Sequence, residues 1–138
     1  DYFNSVDTET IIEILQDKIK DDGLLVNFIG SILSESKAYL NEEIVECKKG
    51  IMAGVPISGF LANLYLSELD KWFYENKILY ARYSDDIIVF GETREVIDKY
   101  KNFIKQFLAN RKLTVNESKE FDIEPNGKLD CSELWTRS

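Results

Sequence analysis

Histidine is absent from this chain of 138 residues. That omission excludes His-based triads, His-ligated metal centres and the usual general base of neutral-pH chemistry. Cysteine is scarce: Cys47 and Cys131 have neither the number nor the spacing of a disulfide framework or a zinc site. A reducing, cytoplasmic setting is therefore the default expectation. Only 2 prolines interrupt the chain, no apolar run approaches the length of a membrane span, and no signal-peptide pattern opens it. No membrane partner is expected. Basic residues are outnumbered 17 to 25, for a net charge of −8. Phosphate binding is normally driven by a basic surface, so this balance argues against a free-standing nucleic-acid-binding module. It is compatible with a catalytic core whose acidic pocket holds metal ions while basic neighbours grip the strand.

What is present is the composition of a folded domain, 44% hydrophobic and 30% charged, of a length that suits a single core. Thr8-Glu9-Thr10 reads as a helix start, with Ile11, Ile12, Leu15 and Ile19 on one face and Asp21-Asp22-Gly23 as its end. A second helix places Leu25, Phe28, Ile29, Ile32 and Leu33 on one side. The mixed stretch from Ile44 to Ile51 predicts short strands or a hairpin. Ser58 is placed as the cap of a third helix running to about Asn76, apolar almost all round and so the most buried. Two strands follow, Leu79 to Tyr83 and Ile87 to Phe90. Thr93 then caps a fourth helix carrying Val96, Ile97, Tyr100, Phe103, Ile104, Phe107 and Leu108 in helical register. Leu113-Thr114-Val115 and Phe121-Asp122-Ile123 read as short strands, and Pro125-Asn126-Gly127 as a turn. Amphipathic helices interleaved with a hairpin predict a two-layer α+β fold, with helices packed on one face of an antiparallel sheet.

The chemistry concentrates in Tyr83-Ser84-Asp85-Asp86, between two apolar, strand-like runs. Adjacent carboxylates on a tight hairpin offer hard oxygen donors. Mg²⁺ gathers such ligands together with substrate phosphates, which points to metal-assisted phosphoryl or nucleotidyl transfer. The plain alternative is a solvated hairpin tip, because Asp is common in turns.

Four elements in order resemble bacterial reverse transcriptases of the group II intron and retron type. Tyr2-Phe3-Asn4-Ser5-Val6-Asp7 is similar to their Y-F-x-S-I-D element. Gly50 to Leu66, with Gly54-Val55-Pro56-Ile57-Ser58 and Leu61-Ala62-Asn63-Leu64-Tyr65-Leu66, resembles their G-x-P-Q-G-x-x-x-S-P-x-L-A-N-x-Y-L element. Tyr80-Ala81-Arg82-Tyr83-Ser84-Asp85-Asp86 resembles Y-x-R-Y-A-D-D, and Leu113-Thr114-Val115-Asn116-Glu117-Ser118-Lys119 resembles L-x-x-N-x-x-K. The resemblance implies a ferredoxin-like polymerase palm over residues 1–138, working on an RNA template with a DNA primer and dNTPs. It implies two Mg²⁺ ions, with Mn²⁺ as a substitute. By carry-over Asp85 bridges both ions and Asp86 supports the site. The nucleotide would be met by Asp1, Tyr2, Phe3, Ala53, Gly54 and Lys119, and the primer and template by Gly50, Arg82, Tyr83 and Ser84. Phe3 falls where the family places the aromatic residue that blocks a ribose 2′-hydroxyl. Ser84 replaces the usual Ala.

Several positions keep a second reading. Phe3 also suits a core aromatic at a strand end, and Gly50 and Gly54 suit ordinary turn glycines. Asn63 most simply stabilises its own helix. Arg82 either meets template phosphate or snorkels from a strand, and Lys119 is equally a solvated loop lysine. Met52-Ala53 stands where the family has Pro-Gln, so the Gln side chain that touches nucleotide and template in the family is missing there. The stretch from Cys131 to Ser138 replaces the family's F-L-G-F hairpin.

The first element of the family opens D-I-x-x-Y-F. Its Asp would fall three residues ahead of Asp1, and taking Asp1 itself as that ligand requires a deletion inside a strand. The expectation is therefore a palm fragment without fingers or thumb, inactive by itself and able to self-associate through apolar surface normally covered. The rival expectations are a palm fold that does not polymerise, serving in phage defence or as an interaction module, and a nucleotide cyclase.

Overall fold

The computed structural model describes residues 2–34, 37–40, 43–46, 50–51, 56–116, 119–120 and 122, with residues 3, 4, 37–40 and 43–46 described by their backbone alone. The fold is α+β. Helices α1 (Tyr2–Ser5), α2 (Thr8–Lys18) and α3 (Gly23–Ser34) precede the hairpin β1 (Lys37–Leu40) and β2 (Glu43–Glu46). Then come α4 (Ser58–Tyr65), α5 (Ser67–Glu75), the hairpin β3 (Tyr80–Tyr83) and β4 (Asp86–Val89), and α6 (Arg94–Asn110). Both hairpins are antiparallel, and among the described residues each is a separate two-stranded sheet. Tyr2-Phe3, expected in a strand, lies in α1 instead.

Local chemistry sets the helix starts. The carboxylate of Asp7 caps α2, accepting from the Thr10 amide at 3.2 Å and the Thr10 hydroxyl at 2.6 Å. It also accepts from Lys112 at 2.9 Å, tying α2 to the far end of α6. These bonds, led by that of the Thr10 hydroxyl, hold the Asp7 carboxyl below the usual aspartate range. Asp22, read as part of a helix end, caps α3 by accepting from Leu25 N at 2.9 Å. Thr93 caps α6 as expected, its hydroxyl accepting from Val96 N.

The long third helix of the sequence reading is two helices. Leu66 ends α4 and begins α5 with φ −102° and ψ 4°. No proline or glycine causes this break. The Ser67 hydroxyl donates to the Leu64 carbonyl at 2.8 Å, a local bond that competes with the helical ladder. Ser58 is the first residue of α4 rather than its cap, and it is buried.

The core is gathered from both sides of that break. Leu61, Tyr65, Leu66, Leu69 and Phe73 are inaccessible or nearly so, and they meet Ile11 and Leu15 of α2, Val26 and Ile29 of α3, and Ile104 and Leu108 of α6. Each fully buried side chain of this size contributes about 1.5–3 kcal/mol. Trp72 stacks on Phe103 with centroids 3.9 Å apart, which fixes α6 against α5. Phe60 stays exposed, so α4 is not apolar-buried all round. On α3 the buried residues are Val26 and Ile29, while Phe28 and Ile32, expected on the inner face, are exposed.

Helices α5 and α6 end alike. Lys77 and Lys112 take left-handed conformations, with φ 55° and 58°. The Ile78 amide then donates to the Phe73 carbonyl at 3.0 Å, and the Leu113 amide to the Leu108 carbonyl at 2.8 Å. The Lys77 and Lys112 amides donate to the Tyr74 and Ala109 carbonyls, completing two Schellman motifs without glycine. After the second motif the chain from Leu113 to Asn116 forms no strand, contrary to the expectation for Leu113-Thr114-Val115. Leu113 is instead buried beneath the helix end. Phe121, residues 123–127 and both cysteines lie outside the described residues.

A side chain in the left-handed region carries a penalty that glycine lacks. Lys77→Gly is therefore expected to stabilise the fold by about 0.5–1 kcal/mol. Urea denaturation of the two chains checks this, with an unchanged or lower midpoint as the contrary result.

Candidate active site

The hairpin β3–β4 pairs Tyr80 with Val89, Arg82 with Ile87 and Tyr83 with Asp86, and a Phe90–Leu79 backbone bond of 3.0 Å extends it. Two residues, Ser84 and Asp85, make the loop. Ser84 has φ 56°, while Asp85 is not in the positive region. A positive φ at the first residue of a two-residue hairpin loop is a conformation that glycine ordinarily fills. The loop puts Asp85 at the tip and Asp86 at the start of β4, both exposed.

Alternation along β3 sends Tyr80 and Arg82 toward the helices and leaves Ala81 and Tyr83 exposed. The Tyr80 ring stacks on Phe73 of α5 at 4.3 Å and 4°. Its hydroxyl donates to Asp70 Oδ1 at 2.9 Å, and burial raises the Tyr80 phenol above its ordinary range. Arg82 is enclosed, with 7% of its side chain exposed. Its Nε donates to Asp70 Oδ1 at 2.8 Å and its Nη2 to Asp70 Oδ2 at 2.5 Å, a bidentate charge-assisted pair. Its Nη1 donates to the Ser84 carbonyl at 2.7 Å and to Asn63 Oδ1 of α4 at 3.1 Å. The guanidinium thus faces into the protein, and its bond with Asp70 raises its pKa further. It does not snorkel from its strand. Asn63 likewise turns its side chain to Arg82 rather than to its own helix.

Tyr2 of α1 lies beside this network. Its hydroxyl donates to the Ala62 carbonyl at 2.7 Å. Burial raises its pKa, with the charge of Arg82 opposing and that of Asp85 adding. Lys119 acts on Asp86 electrostatically: the carboxyl of Asp86 is raised by burial first and by the Asp85 charge second, while Lys119 lowers it. The structure therefore brings Tyr2, Arg82, Ser84, Asp85, Asp86 and Lys119 into one neighbourhood. Gly50 has φ 91°, a conformation that suits glycine, and precedes buried Ile51. Asp1, Ala53 and Gly54 fall outside the described residues, as does the side chain of Phe3.

Asp70 is the residue the sequence reading missed. The available signal was an acid between Leu69 and Phe73 on an otherwise buried helix face.

Residues 1–124 match the model of the family described as Reverse transcriptase (RNA-dependent DNA polymerase). The chain belongs to the reverse transcriptase family. No curated protein matches it. Membership gives the hairpin a chemical context, since the turn, the Asn63 helix and the Lys119 segment all lie inside the matched residues. Reverse transcriptases in general use divalent metals, RNA templates and nucleotides. No helix among the described residues is long and apolar enough to cross a membrane.

The donor chemistry fits a hard cation in part. Asp85 and Asp86 supply adjacent carboxylates whose mutual repulsion a divalent ion relieves, and Mg²⁺ commonly takes only one or two carboxylates beside water and phosphate oxygens. Among the described residues no group of three His, Cys, Asp or Glu side chains could hold an ion.

Because the Asp85 charge holds the Asp86 carboxyl up, Asp85→Asn is expected to move the Asp86 titration to lower pH. Lys119→Ala is expected to move it to higher pH. Carboxyl ¹³C NMR titration measures both, and shifts in the opposite directions would contradict the arrangement.

Proposed function

We propose that this reverse transcriptase chain is the palm of an RNA-directed DNA polymerase of the group II intron and retron type. Asp85 and Asp86 would hold Mg²⁺, with Mn²⁺ as a substitute. The observation that supports this most directly is the two-residue hairpin itself, which presents both carboxylates to solvent at a turn anchored from beneath. When bound, the ions supply Lewis-acid stabilisation of the triphosphate and activation of the primer 3′-hydroxyl. The chain's own residues have distinct parts. Asp85 and Asp86 bind, Ser84 keeps the turn narrow beside the primer end, and Lys119 offers its charge toward the triphosphate. Tyr2 and Phe3 belong to the side of the site that meets the nucleotide sugar, with Phe3 excluding a ribose 2′-hydroxyl. Gly50, Ala53 and Gly54 belong to the segment that follows the template and the nascent base pair.

The two carboxylates do not complete a two-ion ligand set, and a third would come from outside the described residues. We expect the chain of 138 residues by itself to bind paired Mg²⁺ poorly and to incorporate no dNTP. Primer extension with dNTPs on an RNA template tests this, and measurable incorporation by the chain alone would overturn it. A polymerase that carries this sequence as its palm should extend the primer and lose about a hundred- to a thousandfold in rate with Asp85→Asn, as removal of a transition-state electrostatic group does. Full activity of that variant would remove the assignment. A palm fold without polymerase chemistry is the reading left if the larger protein also fails to extend.

A further inference from the structure

We infer that Arg82 is the positioning residue of the site: clamped by Asp70, it holds the Ser84 carbonyl and thereby keeps the carboxylate turn in its left-handed conformation. This rests on the reading of Asp85 and Asp86 as cation ligands. Two observations meet here. Ser84 occupies a backbone region that disfavours any residue with a Cβ, by roughly 1–2 kcal/mol. Such a conformation persists only where the surroundings over-determine it. Beside the Tyr83–Asp86 pairing that closes the loop, the turn is met by one guanidinium, whose Nη1 reaches the Ser84 carbonyl at 2.7 Å while Nε and Nη2 are fixed on Asp70.

The geometry explains why the residue is arginine. A planar fork satisfies Asp70 with two nitrogens and still directs a third at the turn, whereas the single ammonium of lysine serves only one of these partners well. Asp70 sits on α5 and Asn63 on α4, so the turn is referenced to two helices across the Leu66 break. Tyr80 adds a hydroxyl to the same carboxylate and fixes its plane. Arg82 touches neither substrate nor cation in this scheme; it acts through the Ser84 carbonyl.

The test separates positioning from general stability by letting glycine replace the clamp. In ¹³C,¹⁵N-labelled chain, Mn²⁺ is titrated while amide broadening is followed at Ser84 to Ile87, and the three-bond coupling between Ser84 Hα and the Tyr83 carbonyl carbon, large only at positive φ, reports its φ. Arg82→Lys is expected to weaken Mn²⁺ uptake about five- to tenfold, the loss that follows when a left-handed serine is released. Its Ser84 coupling should move toward averaging. Adding Ser84→Gly to Arg82→Lys should recover uptake to within about twofold, because glycine takes the conformation without help. A purely structural role for Arg82 predicts no such rescue. Unchanged uptake and coupling in Arg82→Lys, or no recovery in the double variant, would overturn the inference. Should Arg82→Lys not fold, Asp70→Asn replaces it, with the same loss and the same rescue expected. If the wild-type chain shows no selective broadening at this turn, the Ser84 couplings alone decide whether Arg82 holds the turn, and primer extension decides the cation reading separately.

Discussion

The attachment of the β3–β4 hairpin to α5 is the constraint on which the site depends. A lone two-stranded hairpin is marginal in water, and these strands have only four residues each. Two contacts of different character make it a defined object. The Phe73–Tyr80 stack supplies apolar area, and the Asp70–Arg82 pair supplies direction. The first fixes where the hairpin lies, and the second fixes how its tip is turned. Because α5 is itself held by Leu69 and Phe73 in the core and by Trp72 against α6, the tip inherits the rigidity of the helical layer.

The acidic balance of the chain acquires a structural meaning. Several of its cations are paired with acids of the chain itself. Lys101 pairs with Glu120 and Asp122, Lys105 with Glu120, Arg94 with Asp122, Arg111 with Glu68, and Lys112 with Asp7. These pairs join the end of the described chain to α6 and the end of α6 to α2 and α5. Exposed pairs of this kind contribute little individually. Their consequence is mainly electrostatic: basic charge already balanced at home adds little to the capture of a phosphate backbone, while Asp85 and Asp86 remain exposed at the hairpin tip.

Features governed by local rules were legible in the sequence. The Thr93 cap, the period of α6 and the strands around Asp85-Asp86 follow from residues within a few positions of one another. The α+β class followed from their order. What stayed hidden depends on partners distant in sequence or on unusual residues in familiar roles. Lys77 and Lys112 stand where glycine would have announced a helix end. The break at Leu66, beside the Ser67 hydroxyl bond, has no proline or glycine to mark it. Arg82 and Asp70, 12 residues apart, meet only after α5 has turned back onto the hairpin. Of the site, the carboxylates were visible as a motif, whereas their support was not, because an ion pair between a helix and a strand leaves no periodic signature.

The loop of two residues has one more implication. Tyr83 faces Asp86 directly, so Ser84 and Asp85 leave the connection no slack. Removing a residue would force a shift of register and carry the side chains of one strand to the opposite face, while adding one would replace this turn by a longer loop of different geometry. The present aim of both carboxylates therefore depends on the length of the loop as well as on its side chains. The hairpin acts as a ruler whose divisions cannot be moved without losing the helix against which it is read.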